Sequence, residues 1–79
     1  MTWELWDEDS GNLLGDFDDR AEAMNVAAEL IAAMRGTSRF TLLTLDHSAQ
    51  VVGSIAGVEL VAESARHGRV ARESRSSVA

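Results

Sequence analysis

Cysteine is absent from this chain. Its absence removes disulfide bonds, thiolate catalysis and thiolate-ligated zinc together. Proline, tyrosine and lysine are absent too, and all seven basic residues are arginine. Without lysine there is no phosphate-binding loop of the G-x-x-x-x-G-K-[ST] type. Long apolar runs are also missing, so no transmembrane helix is expected. The opening Met1-Thr2-Trp3-Glu4 is acidic where a signal peptide is basic. Together these features predict a cytoplasmic protein.

What remains is a chain of 79 residues, 46% apolar and 25% charged, with a formal net charge of −6. This is the balance of one small globular domain. A core of this size supplies only a few kcal/mol of net stability, and small domains often add a disulfide, a metal or a second subunit. The first is excluded and ligands for the second are poor, so the chain is expected to associate with itself or with another protein. The charge is uneven. Residues 1–34 carry nine acids and one arginine, whereas residues 35–79 carry four acids and six arginines. This asymmetry favours head-to-tail docking, and the overall acidity argues against a nucleic-acid groove.

Trp3-Glu4-Leu5-Trp6 reads as a strand, Asp7 to Asn12 as a turn with Gly11 or Asn12 left-handed, and Leu13 to Phe17 as the returning strand. A helix is expected from Arg20 to about Arg35. Asp19 is its N-cap, Glu22 occupies the capping-box position, and Gly36 closes it. Ala23, Ala27, Leu30, Ile31 and Met34 repeat at helical spacing along one face. Phe40 to Leu45 and Val51 to Ile55 form a second hairpin around Asp46 to Gln50. Gly57 then breaks the pattern. Val58, Val61, Ala62 and Ala65 fit a helix ending at Gly68, while a strand through Val58 and Leu60 stays open as an alternative. Residues 1–68 are expected to form the domain, and residues 69–79, with three Arg and three Ser, a disordered polar tail.

The two halves look alike. A shift of 38 residues lays Leu13-Leu14-Gly15 on Val51-Val52-Gly53 and Phe17 on Ile55; Trp3 falls on Phe40 only if one first turn differs by a residue. The expected fold is α+β with order ββαββα, a four-stranded, mainly antiparallel sheet with helices on one face. Strand alternation places Trp3, Leu5, Leu13, Phe17, Phe40, Leu42, Val51 and Ile55 under the helices. The opposite face then carries Trp6, Leu14, Leu43, Leu45 and Val52, softened by Glu4, Asp16, Thr41 and Ser54. That is more apolar surface than an open sheet face exposes to water. These five residues are the candidate protein interface, most simply with a second copy. A slip of one residue, or a bulge, would instead turn Trp6 into the core.

No catalytic, cofactor or metal site is expected. In Asp7-Glu8-Asp9-Ser10-Gly11-Asn12 the glycine is fifth and the twelfth position is Asp18, whereas a calcium loop needs glycine sixth and glutamate twelfth. Asp46-His47-Ser48 has hydrolase letters, but neighbours in one turn cannot form a relay. His67 suits a helix C-terminus. Gly15 and Gly53 are expected to mark the close approach of a helix or neighbouring strand. Arg66, Arg69, Arg72 and Arg75 make a modest basic strip within a solvated tail.

A hairpin with Gly11 in its turn, followed by the acid-started helix Asp19-Arg20-Ala21-Glu22-Ala23 with Ala27, Ala28 and Glu29, resembles a plan found in many small bacterial domains. It is also similar to the HicB-type antitoxins, whose partial RNase-H-like domain pairs strands with a helix carrying Glu-Ala. Those proteins bind a small toxin and often carry a DNA-binding appendage. This chain lacks their Pro-rich segment and has no separate DNA-binding domain. The resemblance covers under half the chain and implies a small bacterial binding protein, with no residue role carried over. The expected function is therefore non-catalytic protein binding or regulation, with itself or a bacterial protein as partner and without membrane or nucleic acid. The alternative is a small-ligand or nucleotide sensor with a pocket between helix and sheet.

Overall fold

The structure, a computed structural model, describes residues 1–78, with side chains described for residues 1–67. Its elements are β1 (Thr2–Asp7), β2 (Asn12–Phe17), α1 (Arg20–Ala33), β3 (Phe40–Leu45), β4 (Val51–Ala56) and α2 (Gly57–Val78). The fold is α+β, in the expected order ββαββα. The sheet runs β2-β1-β3-β4, and every neighbouring pair is antiparallel. Segment 57–67 is helix rather than strand. Helix α2 continues to Val78, past its expected end at Gly68; the side chains of the expected tail, residues 69–79, lie outside those described.

Local chemistry sets the element ends. Gly11 takes φ +71° in the first turn, a conformation a Cβ opposes, and its amide donates to the Asp7 carbonyl at 2.7 Å. Asp19 caps α1, accepting from the Ala21 and Glu22 amides at 3.4 and 3.3 Å. The other end differs from expectation. Helix α1 stops at Ala33, and the left-handed residue that closes it is Arg35, at φ +59°. The Gly36 amide reaches back to the Ile31 carbonyl at 2.7 Å and the Arg35 amide to Ala32 at 3.2 Å, which is the Schellman arrangement. Gly36 thus completes the closure but does not carry its turn alone. Gly57, at φ +59°, passes the chain from β4 into α2 with no intervening loop. Only a residue without Cβ makes that reversal without strain.

Helix α1 packs on β1 and β2, and α2 on β3 and β4, while the helices also pack on each other. Leu5, Ala23, Met24, Ala27, Ile31, Phe40, Leu42 and Leu60 form the buried core, flanked by Trp3, Phe17, Val26, Leu30, Ile55 and Val61. The small Ala23 and Ala27 let α1 approach the sheet closely. Arg20 and Arg66 both pair with Glu63, and His67 Nε2 hydrogen-bonds Asn25 Oδ1 at 2.8 Å. The Arg20–Glu63 and Asn25–His67 links tie α1 to α2, and the Glu63 carboxyl is held below its usual range chiefly by Arg66 within α2. These links contribute little to stability.

Six of the eight residues expected under the helices are there. Leu13 and Val51 are not. In β2 the pairing with β1 steps from Leu5↔Gly15 to Trp6↔Leu13, leaving Leu14 without a partner. In β4 it steps from Thr44↔Gly53 to Leu45↔Val51, leaving Val52 without one. Each edge strand therefore carries a bulge, which sets two residues against one and moves the first of them to the outer side. The expected reasons for Gly15 and Gly53 also change. A Cβ on Gly15 would meet the Phe17 ring of the same strand at 3.0 Å, not a helix. Gly53 faces Thr44 of the neighbouring strand at an ordinary 3.7 Å.

The halves are equivalent in space. The two bulges occupy matching positions, and Ala49, which lies 38 residues after Gly11, is left-handed as well, at φ 62°. The first strands match differently from the sequence alignment: β2 and β4 pair Trp3 with Phe17 and Leu42 with Ile55, so Trp3 corresponds to Leu42 and not to Phe40. Trp6 then corresponds to Leu45, and Glu4 to Leu43. Glu4 and Leu43 pair directly across β1 and β3. That pair marks a local two-fold axis, perpendicular to the sheet, which relates the two halves.

Candidate functional site

Among the described residues, no element lies on the side of the sheet away from the helices. Alternation along β1 turns Thr2, Glu4 and Trp6 outward, and their β3 partners Leu45, Leu43 and Thr41 share that side. Asp16 opposite Glu4, Leu13 opposite Trp6, Ser54 opposite Leu43 and Val51 opposite Leu45 complete it. All five candidate interface residues, Trp6, Leu14, Leu43, Leu45 and Val52, lie on this face. The bulges add two that sequence reasoning put in the core, Leu13 and Val51. The signal was a glycine inside each strand pattern, Leu-Leu-Gly and Val-Val-Gly, which often marks a bulge.

Exposure separates this face from ordinary surface. Leu13 is 46% exposed, Leu14 44%, Val51 56% and Val52 54%. Trp6 and Leu43 are half-buried by their neighbours. Leu45 is buried although it faces outward. Together with Met1, Thr2, Glu4 and the turn residues Asp46, His47 and Ala49, it lines an open cavity of about 330 Å³. Four strands about 4.8 Å apart, each six residues long, give a face of roughly 400 Å² in projection. A face of that size, even with Thr2, Glu4, Asp16, Thr41 and Ser54 among its residues, falls within the range of the largest apolar patch on a typical monomer, where such patches are often functional.

Two of the polar groups on the face are tied to each other. Trp6 Nε1 donates to Glu4 Oε1 at 3.1 Å, fixing both side chains. The Thr41 hydroxyl, on the strand beside Trp6, is buried and has no hydrogen-bond partner. The apolar residues collect at two opposite corners, Trp6 with Leu13 and Leu14, and Leu45 with Val51 and Val52. The local two-fold relates one corner to the other.

The acidic turn has a structural task that the sequence did not reveal. Asp7 is buried, and Arg39, just before β3, clamps it with two bonds, Nε to Oδ1 at 2.8 Å and Nη2 to Oδ2 at 2.6 Å. The Ser10 hydroxyl and the Asp9 amide donate to the same carboxylate at 3.0 and 3.1 Å. The Arg39 bonds hold the Asp7 carboxyl far below its ordinary value of 3.8, against the opposing effect of burial. Asp9 adds a weaker contact to Arg39 at 3.7 Å. The carboxylate is thus fully engaged in joining the first turn to β3. Its depressed value adds stability that is complete above pH 3.8 and is lost as pH falls toward the lowered value. Asp7→Asn removes that contribution. The variant's urea midpoint therefore falls well below the parent's at about pH 7, and the gap narrows toward about pH 2.5. A gap that stays constant across this range would show that the pair does not set the acid response.

The remaining motifs act locally. Asp46 Oδ1 accepts the Ser48 and Gln50 amides at 2.8 and 3.0 Å, bracing the second turn, and His47 beside it is exposed. Arg66 pairs with Glu63; Arg69, Arg72 and Arg75 lie beyond the described side chains. Among the described residues, no three His, Asp or Glu side chains gather at metal-binding spacing, and no helix is long and apolar enough to cross a membrane. No family model, curated protein or solved structure matches this chain.

Proposed function

We propose that this chain is a non-catalytic protein-binding domain that pairs with a second copy of itself through the open face of its sheet. One observation carries this reading: seven apolar side chains from all four strands lie on a face that no helix covers. Two such faces together remove on the order of 1,000 Å² from water, the lower range for a specific association. Tryptophan is enriched among the few residues that carry most of an interface's binding energy. The small-ligand reading has less support, since helix and sheet close on each other around the fully buried Leu5, Met24 and Leu60, and the cavity beside Glu4 lies on the outer side.

The chain's two tryptophans report on the two faces separately. Trp3 packs against the core on the helix side, and Trp6 faces outward. Dilution from high micromolar to nanomolar concentration shifts the emission to the red as Trp6 becomes wet. Trp6→Phe removes the shift. Emission that is constant across the whole range contradicts the reading.

A further inference from the structure

The corners of the open face say how two copies meet; this inference rests on the self-association proposed above. The Glu8 amide donates to the Arg39 carbonyl at 2.8 Å, in register with the β1–β3 ladder. The even-numbered residues of β1, which face outward, therefore aim their backbone hydrogen-bonding groups at β3. For L-residues this fixes the view: with the open face toward the observer and β1 running upward, β3 lies on the right. Right-handed strand twist then lifts the upper left and lower right corners toward the observer and drops the other two. The lifted corners are Trp6–Leu13–Leu14 and Leu45–Val51–Val52. The dropped corners carry Thr41 with Ala56, and Thr2.

A twisted sheet is a saddle. Two saddles of the same hand, face to face with strands nearly aligned, keep an even gap and need apolar residues over the whole face. With strands crossed at about 90°, they touch at the lifted corners and splay at the dropped ones. This face is apolar at the lifted corners and has Thr2, Thr41 and Ala56 at the dropped ones. Both bulges, which sharpen local twist, sit at the lifted corners. Charge chooses between the two crossed arrangements. The hairpin behind the Trp6 corner, residues 1–17, carries five acids and no base, while residues 40–56 carry only Asp46. Packing the acidic hairpin on itself sets like charges together, and packing it on the other hairpin avoids this.

We infer that two copies stack face to face with their strands crossed, the Trp6–Leu13–Leu14 corner of each resting on the Leu45–Val51–Val52 corner of the other. The arrangement is two-fold symmetric, with the axis passing close to the Glu4–Leu43 pairs, and it is closed, so it makes a dimer and not a fibre. The two Glu4 carboxylates lie near the axis in either crossed arrangement and do not choose between them; each accepts a hydrogen bond from its own Trp6 Nε1.

A chain without cysteine makes the test direct, because single cysteines at exposed positions leave the core untouched. Leu14→Cys and Val52→Cys chains, mixed and treated with a short bismaleimide, give a covalent dimer, whereas neither variant cross-links alone. Leu14→Cys mixed with Ala56→Cys, the pair that aligned strands bring together, stays uncross-linked. Efficient linkage of that second mixture overturns the crossed arrangement and leaves the open-face reading standing. Linkage of Leu14→Cys with itself overturns the corner pairing. A dimeric mass with no linkage in either mixture overturns the crossed arrangement, and the Trp6 emission then judges the open-face reading separately. A monomeric mass at all concentrations contradicts both.

Discussion

Leu5→Ala lowers the stability of the domain by about 3 kcal/mol, and its melting temperature by roughly 15 °C. Leu5 is completely buried at the centre of the sheet, between Trp3 and Asp7 on its own strand, paired with Leu42 and facing Gly15. Gly15 has no side chain to move into the space, and the Phe17 ring already packs over that glycine. The cavity therefore stays open, which puts the cost in the middle of the range for leucine truncation. A domain of this size has only about 3–5 kcal/mol in hand, so much of the variant is unfolded at physiological temperature. Val58→Ala, at a helix position that is 76% exposed, is the control and changes stability by less than about 0.5 kcal/mol. Thermal melts followed by far-UV circular dichroism check both. A Leu5→Ala loss no larger than that of Val58→Ala would mean that the core does not sit where the register puts it.

Replacing both Trp6 and Leu43 by serine gives the second large effect, and it falls on association. The two positions follow Leu5 and Leu42 directly in sequence, yet they face the other way. Trp6 sits beside the exposed Leu13, and Leu43 lies between Glu4 and Ser54 in the middle of the open face, so each is expected to bury further area mainly in the dimer. Buried aromatic anchors commonly contribute about 2 kcal/mol or more to an interface, and leucine at the centre of the patch adds to it. The double variant is expected to dissociate at a concentration about a hundredfold or more above the parent. Its far-UV spectrum is unchanged, because neither side chain belongs to the helix-side core. Sedimentation velocity reads the association and circular dichroism the fold. Unchanged association with collapsed stability would place both side chains in the core and remove the basis for the interface.

These two neighbouring pairs show where sequence reasoning succeeds. Trp3, Leu5, Phe17, Phe40, Leu42 and Ile55 were assigned to the helix side by alternation alone, and they are there, because β1 and β3 pair without interruption. The element order followed from punctuation: Gly11, Asp19, Gly36 and Gly57 stand at or beside real ends. The open face was readable for the same reason, since residues that alternate away from a core must face something.

The misplacements have physical causes. A bulge consumes one residue of register with no local signature beyond the glycine after it, so Leu13 and Val51 crossed to the outer face. The Asp7–Arg39 clamp joins residues 32 apart in sequence, and no local pattern announces a partner so distant. Helix α1 closed earlier than its composition suggested, because Arg35 adopts a left-handed backbone that side chains usually oppose. The bulges and the clamp are set by pairing across the sheet, whereas the early end of α1 is set by its own last turn.

The most direct test of the central claim is multi-angle light scattering of the unmodified chain, behind a sizing column, over a wide range of loading concentrations. The open sheet face predicts a mass near twice the chain's 8.5 kDa at high loading, falling toward 8.5 kDa on dilution. A mass fixed at 8.5 kDa at every concentration would contradict it.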